Sequence, residues 1–352
     1  MKNIRFSLLC ITIFLYMSCQ KQQVNQNPLS SPSPQADQKN IEKESNEGPE
    51  QPLQMGQQFW SWFATEDFQQ LFSSSSPDVQ KALSIDTWNI VSKQIKEQFG
   101  TEGELIEEKL TPYQGMTIYR RTSRWTNGNL LTNIVFTKEG VLTGFQIVPA
   151  PVVAESQFLD YQTKTLLTVP FIGEWYIFWG GRTIEKNYHA MSKKQRFALD
   201  IVVYNEGKSF KSTGKTNEDY FAFGKDVRAP GAGIVVSVEN NIPDNIPGEM
   251  NPKQPMGNHV IIDHGNSEYS FLAHFKQGSL SVQKGDTVTL GQIIGLCGNS
   301  GNSSEAHIHY HLQNTAVFGS GEGLPAQFTN YLQDGELVQR GELEQGQSIS
   351  SQ

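Results

Sequence analysis

The sequence predicts an α+β N-terminal domain, with helices packed on a four-stranded antiparallel sheet, followed by a mostly β domain built on an antiparallel sheet. Three observations carry this. Aromatic and aliphatic residues between 59 and 95 recur at helical spacing, and the next 50 residues alternate as strands between turn signals. Beyond about residue 150 the chain consists of short apolar runs punctuated by Gly and Pro. Setting aside a polar N-terminal stretch, about 300 residues remain, enough for two hydrophobic cores by ordinary domain sizes.

The chain opens with Met1, Lys2 and Arg5, then an apolar run from Phe6 to Met17 interrupted only by Ser7 and Thr12, then Ser18 and Cys19. A basic start, a short apolar stretch and a small residue before the cut describe a signal peptide over residues 1–18. The run falls short of the roughly 18 residues a membrane-spanning helix needs. Cys19 after Ser18 resembles a lipobox, with Tyr16 where Leu is usual, which implies acylation of Cys19. The expected location is exported, with an N-terminal lipid anchor holding the protein to a membrane, facing the periplasm or the cell exterior. Residues 19–54 are Gln, Asn, Ser, Pro, Lys and Glu with few aliphatic side chains, the composition of a disordered tether. A formal net charge of −8 argues against nucleic acid and against an anionic membrane surface as partners.

The first domain spans residues 55–149. Phe59, Trp60, Phe63, Phe68 and Leu71 make one amphipathic helix, and Val79, Leu83, Trp88, Ile90, Val91 and Ile95 face a second that ends at Gly100. Strands are expected over Glu104–Leu110, Met116–Arg124, Leu130–Thr137 and Val141–Val148. Arg120, Arg121, Arg124, Glu107 and Glu108 are scattered along them and read as solvated faces. This half resembles the NTF2-like or cystatin-like domain (DUF3887) that precedes hydrolases in some secreted proteins.

The second domain spans residues 150–330. Its clearest strands are Arg196–Tyr204, Gly233–Val238, Asn258–Asp263, Tyr269–Phe275, Thr287–Cys297 and His307–Gln313. No solenoid or propeller period is present. A tail over 331–352, rich in Gln, Glu, Gly and Ser, is expected to be disordered. Of the three cysteines, Cys10 leaves with the leader, Cys19 carries lipid, and Cys297 lies in an apolar run as a small buried hydrophobe.

The chemistry lies in the histidines. Three of the seven fall in Ala306-His307-Ile308-His309-Tyr310-His311, and strand alternation puts all three on one face. Neutral imidazoles at that spacing can converge on one ion, and catalytic zinc takes three protein ligands. Asp200 is a carboxylate inside the apolar run Phe197–Val203, a position that demands a partner or a metal.

The stretch from Asn187 to Leu312 resembles an M23 peptidase domain of the LytM or lysostaphin-like kind. The matching segments are Phe197–Val203, Asp226–Val235, Gly257–Gly265, Phe271–Phe275, Val282–Val288, Gly291–Gly295, Gly298–Gly301 and His307-Ile308-His309. The resemblance implies one Zn2+ per chain held by Asp200 and His309, with His274 and His307 as the catalytic groups flanking the attacking water. The family's usual third ligand is a His four residues before the Asp, where this chain has Arg196. His189 is the only histidine upstream and is expected to replace it. His259 and His264 read as structural, and His311 as a group that orients a ligand or the substrate.

The implied function is a zinc-dependent endopeptidase acting on peptides of peptidoglycan. A non-catalytic LytM-like regulator that binds and activates other cell-wall hydrolases is the alternative, kept open by Arg196. A third reading makes the first domain a ligand-binding module with Phe59, Trp60, Trp62 and Phe63 lining a pocket, although their helical spacing points to core.

Overall fold

The computed structural model describes residues 12–13 and 50–352, so most of the leader and tether fall outside the described residues. The chain divides into two compact units between Pro151 and Val152. Among the described residues no helix is long and apolar enough to cross a membrane.

The first unit carries helices α1 (Glu50–Ala64), α2 (Phe68–Ser73), α3 (Pro77–Ala82) and α4 (Ile85–Phe99). Its strands are β1 (Thr12–Ile13), β2 (Glu102–Tyr113), β3 (Met116–Trp125), β4 (Gly128–Phe136) and β5 (Leu142–Pro149). The last four form the expected antiparallel meander, and the two residues of β1 pair at its β5 edge. Each helical stretch that periodicity reads as single is split. Glu66 turns left-handed at φ 61°, and the Asp67 carboxylate accepts the Gln70 N–H to start α2. Ser84 caps the Thr87 N–H to start α4. The apolar faces run through both breaks, so spacing alone could not reveal them.

Phe59, Trp60, Phe63, Trp88, Phe136 and Phe145 belong to this unit's core, so the α1 aromatics are packing residues. Ile90 is 56% exposed, because Trp88, Val91 and Ile95 already define the buried face of α4. Arg121 is not solvated as expected. Its guanidinium lies 4.5 Å over the Trp60 ring and donates to Glu102 at 2.6 Å.

The second unit contains β6 (Glu174–Trp179), β7 (Leu199–Val202), β8 (Asp226–Arg228), β9 (Gly233–Glu239), β10 (Asn258–Asp263), β11 (Tyr269–Phe275), β12 (Thr287–Val288) and β13 (Ile293–Leu296). It continues with β14 (Ile308–Gln313), β15 (Gly323–Leu324), β16 (Phe328–Gln333), β17 (Glu336–Gly341) and β18 (Ser348–Ser351). One antiparallel sheet runs β12-β9-β10-β11-β14-β7-β6-β18-β16-β17, with β15 on β14 and a separate β8-β13 pair. Alternation divides its faces. Ile177, Leu199, Ile201, Leu272, Ile308, Tyr310 and Leu312 form the core, while the residues between them point to the opposite face.

Two expectations fail here. The run Thr287–Cys297 is two strands, because Gly291 at φ 77° turns the chain between them. Residues 331–352 are not a disordered tail: Tyr331, Leu343 and Ile349 are buried, and β16, β17 and β18 join the sheet. Composition averaged over those 22 positions hides three well-placed apolar residues and the Asp334-Gly335 turn at positive φ.

The irregular stretch 156–171 is fastened by the buried Glu268 carboxylate. It accepts from Tyr161 Oη at 2.8 Å, Lys164 N at 2.6 Å, Thr165 N at 2.8 Å and the Thr165 hydroxyl. Burial raises its pKa, but these donors outweigh burial and hold it below the usual range. Glu268→Ala strands four donors and is expected to cost about 3 kcal/mol, read as a lowered Tm in thermal denaturation. Because the folded pKa is depressed, this stabilisation is complete above the ordinary carboxylate pKa. It is lost as pH falls through the folded value.

Candidate metal centre

The site grows out of strand register. In successive neighbours β11, β14, β7 and β6, Ala273 pairs with His309, His309 with Asp200, and Asp200 with Trp179. The imidazole of His309 and the carboxylate of Asp200 therefore meet side by side, Nδ1 to Oδ1 at 2.8 Å. His307, one position before β14, brings Nε2 to 3.5 Å from the same oxygen.

His189 arrives from a 3-10 turn, Tyr188–Met191. Asn187 fixes it. Its Oδ1 accepts from His189 N at 3.2 Å and faces His189 Nδ1 at 2.8 Å, while its Nδ2 donates to Gly181 O and Ala198 O, both at 3.0 Å. Because Ala198 leads directly into β7, this one amide ties the turn to the strand that carries Asp200. With Nδ1 donating to Asn187, the lone pair is on Nε2, 3.6 Å from Asp200 Oδ2.

Arg196 takes no part. The chain is still turning there, since the expected strand Arg196–Tyr204 begins only at Leu199. Its guanidinium donates to Arg182 O at 3.1 Å and stacks on Phe197.

Two donor sets result: His189, Asp200 and His309, and His274, His307 and His309, each with its ligand atoms within 4.8 Å of one another. Tetrahedral zinc with bonds of about 2.0–2.2 Å spaces its ligand atoms roughly 3.4 Å apart. In the first set Asp200 lies 2.8 Å from His309 and 3.6 Å from His189, all three ligand atoms fall within 4.8 Å, and the donors are one carboxylate and two imidazoles, so the set fits zinc. The protonation states agree. Burial pushes the His189 pKa down to about 3, against the pull of Asp200, so the ring is neutral. Burial raises Asp200, but the surrounding imidazoles, His189 and His307 first, outweigh it and keep the carboxylate ionised.

His274 and His307 are presented alike. His274 Nδ1 donates to Ser300 O at 2.7 Å and His307 Nδ1 to Glu305 O at 2.9 Å, which directs both Nε2 atoms inward with the rings 4.8 Å apart. Burial lowers the His274 pKa and keeps it neutral. Burial would lower His307 too, but Asp200 reverses the direction, so His307 is the more basic of the two rings. His274 sits at φ 66°, a left-handed conformation that is strained for a residue other than glycine.

Gly257 explains how that conformation is held. It has φ 58°, and a Cβ there would lie inside contact distance of Ser300 O, the acceptor of His274 Nδ1. If the site works as the M23 resemblance implies, Gly257→Ala is expected to reduce turnover about tenfold by displacing that anchor while zinc content stays unchanged, checked by kinetics beside metal analysis.

His311 Nδ1 lies 3.3 Å from His309 Nε2, and its own ring stacks on Phe271 at 4.5 Å. That places it beside His309. Gln195, whose amide lies 3.4 Å from His309 Nε2, gave no sequence signal. His259 is engaged by Ser237 and Gly257 O, and His264 by Ala232 O and Ser270. Both stand outside the two donor sets. Cys297 is a buried free thiol, its pKa pushed up by burial.

Residues 215–319 match the model of peptidase family M23. This M23 segment includes His274, His307 and His309, whereas His189 and Asp200 lie upstream of it. The chain is 35% identical over 89 residues to the peptidoglycan DD-endopeptidase ShyA of Vibrio cholerae. That match covers 25% of this chain and only 17% of ShyA. Among solved structures, the catalytic domain of the M23 protein EnpA from Enterococcus faecalis is 19% identical with TM-score 0.29, covering 44% of this chain and 92% of that one. The catalytic domain of lysostaphin from Staphylococcus simulans is 19% identical with TM-score 0.26, covering 43% and 88%. A zinc-containing peptidase from Vibrio cholerae is 16% identical with TM-score 0.28, covering 56% and 52%.

Proposed function

We propose that the protein is a zinc-dependent endopeptidase that hydrolyses peptide bonds in peptidoglycan. The observation that carries this is the pair of donor sets sharing His309: one suits an ion and the other presents two non-ligand imidazoles to the same point. The similarity to a peptidoglycan endopeptidase supports the substrate class.

His189, Asp200 and His309 would hold the ion, which when bound acts as a Lewis acid and lets water attack near neutral pH. His307, held by Glu305 O and facing Asp200, is placed to take the proton of the attacking water and return it to the leaving amine. His274, with Nδ1 donating to Ser300 O, offers its bare Nε2 to the reacting atoms as a proton acceptor and aligns the attacking water. The regulator reading rests on Arg196. With His189 Nε2 at 3.6 Å from Asp200, the site has a third donor without that position, which favours the enzyme.

In the same reading the leader exports the chain, Cys19 carries the lipid anchor, the part of 19–54 that precedes α1 is a tether to the membrane, and 55–149 belong to an NTF2-like or cystatin-like spacer or binding domain. The decisive test is zinc content and peptidoglycan digestion by the purified chain and by His189→Ala. One zinc per chain in the parent, with affinity about a thousandfold weaker in the variant, is expected. Unchanged affinity would remove His189 from the site.

A further inference from the structure

The metal-bearing face of the sheet does not end at Asp200. It continues sideways onto β6 and beyond the end of β7 as a row of aromatic rings. Trp179 is the register partner of Asp200, and Tyr176 is the partner of Val202. Tyr204 lies two residues past Val202. Trp175 and Ile177 occupy the core, so Tyr176 and Phe178 between and after them take the opposite face. A register shift between Ile177 and Trp179 adds Trp179 to that face.

The rings touch in sequence. Tyr176 stacks on Tyr204 at 4.6 Å and 14°, and Phe178 meets Tyr204 at 6.4 Å. Phe178 meets Trp179 edge-on at 5.5 Å, Trp179 meets Tyr188 at 5.5 Å, and Tyr188 lies 4.0 Å from the ring of His189. An unbroken aromatic path thus ends at a metal-binding imidazole. None of the five rings belongs to the hydrophobic core or packs against it. Tyr188 is 39% exposed, and the other four are half-buried. Five aromatics in a row outside the core, on the solvent side of a reactive centre, need a reason other than folding stability.

We propose that this aromatic platform is a saccharide subsite that seats the glycan strand of peptidoglycan while the attached peptide reaches the metal centre. The inference rests on the peptidoglycan reading given above. The chemistry favours sugar over peptide as the occupant. Pyranose rings present flat faces of polarised C–H bonds that pack on the negative faces of aromatic rings, and their N-acetyl methyls do the same. The charges felt by its tyrosines are carboxylates: Asp334 at Tyr176, Glu305 at Tyr204 and Asp200 at Tyr188. Carboxylates accept from sugar hydroxyls but repel the carboxylates of stem peptides. Burial and Glu305 raise the Tyr204 pKa to about 12, so its hydroxyl stays a neutral donor and acceptor. Continuity with His189 sets the order of the substrate along the face, glycan over β6 and scissile peptide over β7 and β14.

The test uses the zinc-loaded full chain and two variants, Tyr204→Ala and Trp179→Ala, with Tyr204→Phe as the conservative control. The probes are a soluble β-1,4-linked N-acetylglucosamine oligosaccharide, a stem peptide free of glycan, and intact sacculi. The parent is expected to bind the oligosaccharide, read by isothermal titration calorimetry. Affinity for oligosaccharide and sacculi should fall about tenfold in each Ala variant, recover in Tyr204→Phe, and leave zinc content at one per chain. An oligosaccharide that fails to bind the parent overturns the proposal. So does an Ala variant that loses affinity for the free peptide but keeps it for the oligosaccharide, since the platform would then seat peptide. If the parent binds the oligosaccharide but digests no peptidoglycan, the subsite stands and the endopeptidase reading fails.

Discussion

In the endopeptidase reading, replacing His309 by Ala is expected to cripple zinc binding and abolish peptide hydrolysis, because this ring alone belongs to both donor sets. Its Nδ1 faces Asp200 at 2.8 Å, and its Nε2 is bracketed by His311 and Gln195. The loss removes one of three ligands and leaves the Asp200 carboxylate, 7% exposed, without its nearest partner. If a protein zinc site is worth about 10–16 kcal/mol over its ligands, one ligand accounts for roughly 4 kcal/mol, or about a thousandfold in affinity. Zinc titration against a chelating competitor reads the first effect and a peptidoglycan digest the second. A His309→Ala protein that still bound one zinc with an affinity near the parent's would show that the ion belongs elsewhere.

That this residue could be picked from sequence depends on strand period. In His307-Ile308-His309-Tyr310-His311 the intervening Ile308 and Tyr310 are the core face, so alternation alone puts the three imidazoles together. Asp200 was legible for a related reason: a charge between Leu199 and Ile201 has nowhere to go but the opposite face. His189 is legible only through a resemblance, the lone histidine ahead of Gln195-Arg196-Phe197-Ala198-Leu199-Asp200; what brings it in is the Asn187 amide bridging Gly181 O and Ala198 O, a tertiary arrangement that no spacing encodes. The φ of 66° at His274 and the amide of Gln195 leave no trace in the pattern.

The sheet shows the same division. Strand β14 alternates apolar residues with histidines, and β10 and β11 are apolar runs bounded by turn residues, so they are visible. Strand β6 has five aromatic or aliphatic residues in six and a register shift, and β16, β17 and β18 carry few apolar side chains, so neither period nor composition marks them. Their pairing depends on neighbours far away in sequence, β18 with β6 above all. It is this part, unread in the sequence, that extends the face beyond the metal ligands.

Replacement of His307 by Ala separates catalysis from metal binding. In the endopeptidase reading, three ligands remain in His307→Ala, so zinc content stays at one per chain, while turnover falls about a thousandfold, within the range for loss of a positioned general acid–base. His307 is singled out over His274 by its surroundings. Asp200 raises its pKa against the effect of burial, so it can hold a proton and give it to the leaving amine, whereas His274 is kept neutral. Exogenous imidazole should therefore restore part of the lost rate in His307→Ala, since the cavity left at 3.5 Å from Asp200 can admit a free base. His274→Ala, which disturbs a strained backbone position as well, should respond less. Zinc content, turnover and imidazole rescue measured on the same preparations decide it. A His307→Ala protein with turnover within tenfold of the parent would remove the proton shuttle from this residue. An inactive parent with zinc bound would return the site to the regulator reading.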